Sequence, residues 1–105
     1  MIDPDQFKKE VIEPALSTVG LYSPTAVQLL LATAIAESGL VYIRQHGEGP
    51  AMGVYQIEPA TRQDCHDNFI NYRTELEGNI KRLMTGEDPD QQLISNLSYA
   101  TVIAR

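Results

Sequence analysis

The sequence contains little cysteine and few basic side chains. One cysteine, Cys65, in 105 residues excludes an internal disulfide framework and is typical of synthesis in a reducing compartment. Eight Lys and Arg against fourteen Asp and Glu give a formal net charge of -6. Nucleic-acid binding needs clustered positive charge to displace counterions from phosphates, and only isolated pairs such as Lys8-Lys9 occur here. We therefore expect no nucleic-acid partner.

Long apolar runs are also missing. The longest, Ala26 to Ala36, is interrupted by Gln28 and Thr33 and falls short of the roughly 20 apolar residues that a membrane span needs. Residues Met1 to Asp5 lack the basic and then apolar regions of a signal peptide. We expect synthesis in the cytoplasm without a signal peptide, and no membrane partner.

The chain carries helix signals along most of its length. Hydrophobic residues make up 43% of it, which suits one domain with its own core. Asp or Ser followed by Pro is typical of a helix start, because the side chain caps and Pro suits the first turn. The sequence therefore predicts a single, mainly α domain over residues 1–105, with helices starting at Asp3-Pro4, Ser23-Pro24, Pro59 (to about Ile70), about Thr74 (to Met84) and Asp88-Pro89.

Four details of this prediction concern individual segments. Pro14 should kink or break the first helix. The segment Thr25 to Ser38 is apolar on nearly every side, which predicts a central helix surrounded by protein. Residues 39–57 are rich in Gly and predict a short loop or small β-ribbon segment. The last helix runs on to Arg105 with an apolar stripe, so we expect the native chain to continue and cover that stripe, which consists of Leu93, Leu97, Ala100 and Ala104.

Glu37 is an acidic residue in an otherwise apolar segment, at the end of the most apolar predicted helix. Burial and the negative end of the helix dipole would both disfavour a carboxylate there. A carboxyl that stays protonated near neutral pH is what a general acid requires. The plainer interpretation is that Glu37 points outward at a helix end.

Two stretches of the sequence form a recognisable pair. Glu37-Ser38-Gly39 is followed, fourteen residues on, by Gly53-Val54-Tyr55-Gln56-Ile57-Glu58-Pro59-Ala60-Thr61. The pair resembles the signature of the lytic transglycosylases and goose-type lysozymes, a Glu-Ser dipeptide at a helix end and then Gly-x-Met-Gln-Ile-x-Pro-x-Thr. Asn96-Leu97 is similar to a third feature of the family. The resemblance covers roughly residues 23–105, and the short loop between the two stretches is similar to that of phage or prophage members.

This resemblance implies a lysozyme-like helical fold that cleaves the β-1,4 bond between N-acetylmuramic acid and N-acetylglucosamine in peptidoglycan. Glu37 would be the catalytic acid and base, and Ser38 would order the site by hydrogen bonding. The expected partners are peptidoglycan glycan strands of the bacterial cell wall, with a virion-associated setting, and no cofactor or metal is implied. The residues implied in sugar binding are Ser38, Gln56, Tyr55, Met52 and Gly53, to which Tyr42 is added as an aromatic side chain near the expected cleft.

A second carboxylate is harder to find. Most glycosidases use a pair, about 5 Å apart for retention and about 6.5 to 9.5 Å apart for inversion. Glu48, Glu58 and Asp64 are the candidates, and Glu58 also suits a helix start. Transglycosylases of the family use one carboxylate, because the muramic acid's own hydroxyl attacks and an anhydro sugar results. The pattern therefore favours this lyase-like outcome, with lysozyme-type hydrolysis as the alternative.

Other interpretations remain open. The family continues past the last helix into a Tyr-Asn-Ala-Gly-like motif that this chain does not contain. The chain would then be a catalytically silent lysozyme-like module that binds glycan or has a structural role in a virion or secretion assembly, or a plain helical interaction domain. The run Asp64-Cys65-His66-Asp67 does not predict a metal site, because neighbours on a helix point about 100° apart. Cys65 is expected to be a buried, inert thiol.

Overall fold

The computed structural model describes residues 1–44 and 49–105, and it confirms the mainly helical prediction. Within those residues there are isolated β-bridges but no strands. No helix in this part of the chain combines the length and the hydropathy that crossing a membrane would require. The helical elements are α1 Pro4–Phe7, a π-helical turn Lys8–Ile12, α2 Glu13–Thr18, α3 Pro24–Ser38, α4 Pro59–Asn68, a 3-10 turn Ile70–Tyr72, α5 Thr74–Leu83, α6 Pro89–Ser95 and α7 Leu97–Ala104.

The first helix passes through Pro14 without a break. Asp3 caps it, accepting a hydrogen bond from the backbone N–H of Gln6 at 3.0 Å. Just before Pro14 the helix widens, and the N–H of Glu13 donates to the carbonyl of Lys8, five residues earlier. Proline has no N–H and its ring crowds the carbonyl four residues before it, so one wider π turn relieves the conflict. The predicted break therefore does not occur.

Helix α3 is not the central helix. One face of it is buried, but Leu29 is 65% exposed and Ile35 is 43% exposed on other sides. The prediction from its uniformly apolar composition is therefore wrong, because burial depends on which faces the other helices cover. Ser23 caps its first turn, and Gly39, with φ of +62°, ends it in the left-handed region.

Helix α7 occupies the centre instead. It packs against α2, α5, α6 and the π turn. Its five buried residues are consecutive and include Tyr99 and Thr101. The last predicted helix is in fact two, because Asn96 ends α6 and caps α7, accepting from the N–H of Tyr99 at 3.0 Å.

The apolar stripe at the end of the chain is already covered. Leu93 has no exposed surface and Ala100 is 1% exposed, while Leu97 and Ala104 are half-buried. The expectation that these residues await a covering segment is wrong for Leu93 and Ala100, which the described helices bury. Helices α4 and α5 agree with their predicted spans to within two residues.

The glycine-rich segment forms bridges rather than a ribbon. Met52 pairs with Arg44 and with Ile57 in isolated antiparallel bridges. The N–H of Met52 donates to the carbonyl of Ile57 at 2.9 Å, and the N–H of Ile57 donates back at 2.9 Å. These two bonds close a tight turn over residues 53–56. Glu48, one of the candidates for a second carboxylate, lies outside the described residues.

Candidate active site

Glu37 is the penultimate residue of α3, and its side chain is exposed. The expected burial is therefore wrong, because the end of α3 lies at the surface rather than in the core. The carboxyl is accessible to a large ligand, which a buried acid would not be. Glu37 lies at the C-terminal end of α3, where the helix dipole is negative.

Ser38, the next residue, is buried and turned inward. Its hydroxyl donates to the carbonyl of Val54 at 2.6 Å and lies 3.0 Å from the carbonyl of Ala34. The same oxygen accepts from the N–H of Leu40 at 3.2 Å. Glu37 therefore faces solvent, whereas Ser38 fixes the helix end to the turn at residues 53–56.

The turn is held in place from both sides. The N–H of Gly53 donates to the carbonyl of Ile43 at 2.7 Å, and its φ is +78°. A Cβ at this position would lie 1.9 Å from the carbonyl oxygen of Leu93, so only glycine fits against α6. Gln56 also has a positive φ, +52°, and its side-chain amide donates to the carbonyl of Gly53 at 2.8 Å. The backbone of this turn is rigid and strained at Gln56.

Tyr55 does not face the expected cleft. It is 3% exposed, its ring packs 6.2 Å from that of Phe7, and its hydroxyl lies 2.7 Å from the hydroxyl of Thr101 in α7. Burial raises the pKa of Tyr55 well above its usual value. Contrary to the prediction, Tyr55 is buried together with Gly53 and Val54, so its ring is not accessible to a sugar and instead anchors the turn to the core.

The other predicted sugar-binding residues differ in accessibility. Tyr42 is 47% exposed, and its N–H donates at 3.2 Å to the carbonyl of Ser38, so it lies against the same helix end as Glu37. Gln56 and Met52 are half-buried, whereas Gly53 is buried. Tyr42, Gln56 and Met52 therefore keep accessible surface, whereas Gly53 and Tyr55 do not.

Of the three candidates for a second carboxylate, only Glu58 and Asp64 lie within the described residues, and neither is hydrogen-bonded to Glu37 there. Glu58 is exposed at the start of α4 and makes no capping hydrogen bond there, contrary to its expected role at the helix start. Asp64 is exposed on α4 and accepts from the side-chain amide of Asn68 at 2.6 Å. Glu58 therefore stands at the start of α4, and the hydrogen bond of Asp64 lies within α4.

A buried polar cluster between α4, α6 and α7 was missed by sequence reasoning. Arg62 is 7% exposed and its Nε donates to Asp90 at 2.5 Å. His66, one turn along α4, has its Nε2 2.6 Å from the hydroxyl of the fully buried Tyr99. Burial lowers the pKa of His66, and the charge of Arg62 lowers it further. The spacing of Arg62 and His66 by four residues is the one signal that places them on a common face.

Burial has the opposite effect on the acids of this region. It raises the pKa of the Tyr99 hydroxyl, and together with the nearby Asp64 it raises the pKa of the Cys65 thiol. Cys65 is half-buried rather than buried, and its raised pKa keeps it in the less reactive thiol form. Among the described side chains, no group of three or more His, Cys, Asp and Glu is arranged to hold a metal ion.

Two clefts border α4, and Glu37 lines neither of them. One, of about 590 Å³, runs along Arg62, His66 and Asp90. The other, of about 830 Å³, lies between α4, α5 and the end of α7. Comparisons with known proteins found no matching family model, no matching curated protein and no matching solved structure.

Proposed function

We propose that this protein cleaves the glycan strands of peptidoglycan between N-acetylmuramic acid and N-acetylglucosamine, with Glu37 as the catalytic acid and base. One observation carries the proposal. The hydrogen bond from Ser38 to the carbonyl of Val54 joins the two stretches, Glu37-Ser38-Gly39 and residues 53–61, whose pairing resembles the lytic transglycosylase signature. Stretches that are alike by accident have no reason to meet in space.

The proposed reaction uses Glu37 twice. Its carboxyl protonates the glycosidic oxygen as the bond to the muramic acid breaks. The resulting carboxylate then takes the proton of the muramic acid's own hydroxyl, which attacks the same carbon and closes an anhydro ring. Glu37 ends protonated as it began, so no water is consumed. The proposal prefers this outcome to hydrolysis because it needs one carboxyl only.

The turn at residues 53–56 would supply the sugar contacts. The side-chain amide of Gln56 donates to Gly53, which leaves its carbonyl oxygen to accept from a sugar hydroxyl. Tyr42 offers an exposed ring against which a sugar can stack, and Met52 offers half-buried apolar surface. Ser38 would act through position alone, by holding the turn beside Glu37. The setting would be the bacterial cell wall, reached as part of a phage or prophage lysis system.

A turbidity assay on purified peptidoglycan tests the proposal. The wild type is expected to clear the suspension, and Glu37→Gln, which keeps the side-chain size but cannot exchange a proton, is expected to lose this activity. Glu58→Gln is the matched control, because it removes an exposed carboxyl from the neighbouring helix. Mass spectrometry of the released fragments separates the two outcomes, since an anhydro end is lighter than a hydrolysed end by one water.

The exposure of Glu37 favours a second candidate function, a catalytically silent lysozyme-like module that binds glycan or has a structural role in a virion or secretion assembly. A solvated carboxyl lacks the burial that usually keeps a general acid protonated. No clearing by wild type together with retention on peptidoglycan in a pull-down would favour this module. Equal clearing by wild type and Glu37→Gln would contradict the role of Glu37 in either form of the reaction.

A further inference from the structure

We propose that the 830 Å³ cleft between α4, α5 and the end of α7 binds a free single-chain carboxylate, a ligand with an apolar body and one anionic head. The proposal goes beyond glycan cleavage and uses neither Glu37 nor the turn at residues 53–56. The volume of the cleft falls within the range of about 300 to 1,000 Å³ that is typical of small-molecule sites.

The body of the cleft is apolar. Its floor is formed by residues that are buried in the core, and its walls by side chains that keep some accessible surface. An alkyl chain laid along these walls would be removed from water, which favours binding in proportion to the apolar area buried. The floor consists of Ile70, Ile80, Val102 and Ile103, and the walls include Leu76 and Cys65.

Two arginines lie at the rim of the cleft. The guanidinium of Arg73 lies 3.7 Å from the ring centroid of Phe69, and its Nη1 donates to the carbonyl of Phe69 at 3.2 Å. Arg105 donates from Nε to the carbonyl of Leu21 at 3.5 Å. Among the described residues neither arginine forms an ion pair with a carboxylate. Each keeps further N–H donors that match the geometry of a carboxylate.

The rim also carries two acids, and both have local stabilisation. Asp64 accepts a hydrogen bond from Asn68 at 2.6 Å. Glu75 lies in the first turn of α5, where the free N–H groups of the helix favour negative charge. The arginines, by contrast, contact only carbonyls and a ring. The N–H groups of the two arginines are therefore the rim donors that remain for an anionic head group.

Cys65 provides a probe that needs no added label. It is the only cysteine and it lines the cleft, so its rate of alkylation by iodoacetamide reports occupancy. We expect decanoate, kept below its critical micelle concentration, to slow this rate in a saturable way. Decyltrimethylammonium, which has the same chain and the opposite charge, is expected to slow it much less. Equal protection by both compounds, or by neither, would overturn the proposal.

Calorimetric titration with decanoate tests the head-group contact. Arg73→Gln is expected to weaken binding about tenfold or more, the loss of a hydrogen bond to a charged group. Arg44→Gln is the matched control, because it removes the same charge from an exposed position outside the cleft. Thermal melts establish that both variants are folded. Equal affinities for the two variants would show that Arg73 does not hold the head group, which contradicts the proposed site.

Discussion

The hydroxyl of Ser38 and the carbonyl oxygen of Val54, sixteen positions apart in the chain, lie 2.6 Å apart in the buried interior. This bond is the direct link between the end of α3 and the turn at residues 53–56. It also explains why Glu37 can be exposed and still be well positioned, because the residue beside it is fixed. The stability of the whole region should therefore depend on one hydroxyl.

Replacing Ser38 with alanine tests this dependence. The substitution leaves the carbonyl of Val54 and the N–H of Leu40 without their buried partner, so we expect a loss of about 1–3 kcal/mol in the free energy of unfolding. Urea denaturation measures it. Ser17→Ala, at an exposed position of α2, should be near neutral. A Ser38→Ala variant as stable as the wild type would show that the link between the two stretches is dispensable.

Gly53→Ala separates steric conflict from backbone strain. The added Cβ would lie 1.9 Å from the carbonyl oxygen of Leu93, at a φ of +78°. Gly20 has a similar φ of +74° but open space around it, so Gly20→Ala should cost only the about 1–2 kcal/mol of a left-handed residue. We expect Gly53→Ala to lower the melting temperature clearly more than Gly20→Ala. Similar losses would mean that α6 can move away from the turn.

Tyr55→Phe tests whether Tyr55 is a core residue. The change keeps the ring against Phe7 and removes the bond to Thr101, so the free energy of unfolding should fall by about 0.5–1.5 kcal/mol. Tyr72→Phe, at a position that is 78% exposed, should have almost no effect. Glycan binding should be unchanged in both variants. Weaker glycan binding by Tyr55→Phe, with unchanged stability, would restore the interpretation that Tyr55 contacts sugar.

His66 should make stability depend on pH. Its pKa in the folded protein is lowered below the unfolded value of about 6.5, so the unfolded chain binds the proton more readily. The stability contributed by neutral His66 is complete above that value and is lost as the pH falls from it towards the folded pKa.

Urea midpoints between mildly acidic and mildly alkaline pH measure this effect. His66→Gln should flatten the decline of stability towards acid, because the replacement does not titrate. His46→Gln, at the only other histidine, serves as the control for histidine titration elsewhere in the chain. An unchanged pH profile in His66→Gln would contradict the assignment of the effect to the contact between His66 and Tyr99.

The sequence by itself determined where helices begin and, for α4 and α5, where they end. Asp3, Ser23 and Asp88 each precede a proline, and all three side chains accept the expected capping bond. These features depend on residues within four positions of one another, so a linear pattern contains the information they need. The sequence also indicated the pairing of Glu37-Ser38 with residues 53–61, as a resemblance without geometry.

Only the tertiary structure decided which of these elements is buried. Helix α3 is the more uniformly apolar one, yet α7 is central and Leu29 is exposed. Tyr42 and Tyr55 are the same residue type, and one faces solvent while the other is in the core. Burial depends on packing between elements far apart in the chain, and a cap or a periodicity carries no information about that. For the same reason the exposure of Glu37 and the pairing of Arg62 with Asp90 followed only from the arrangement of the helices.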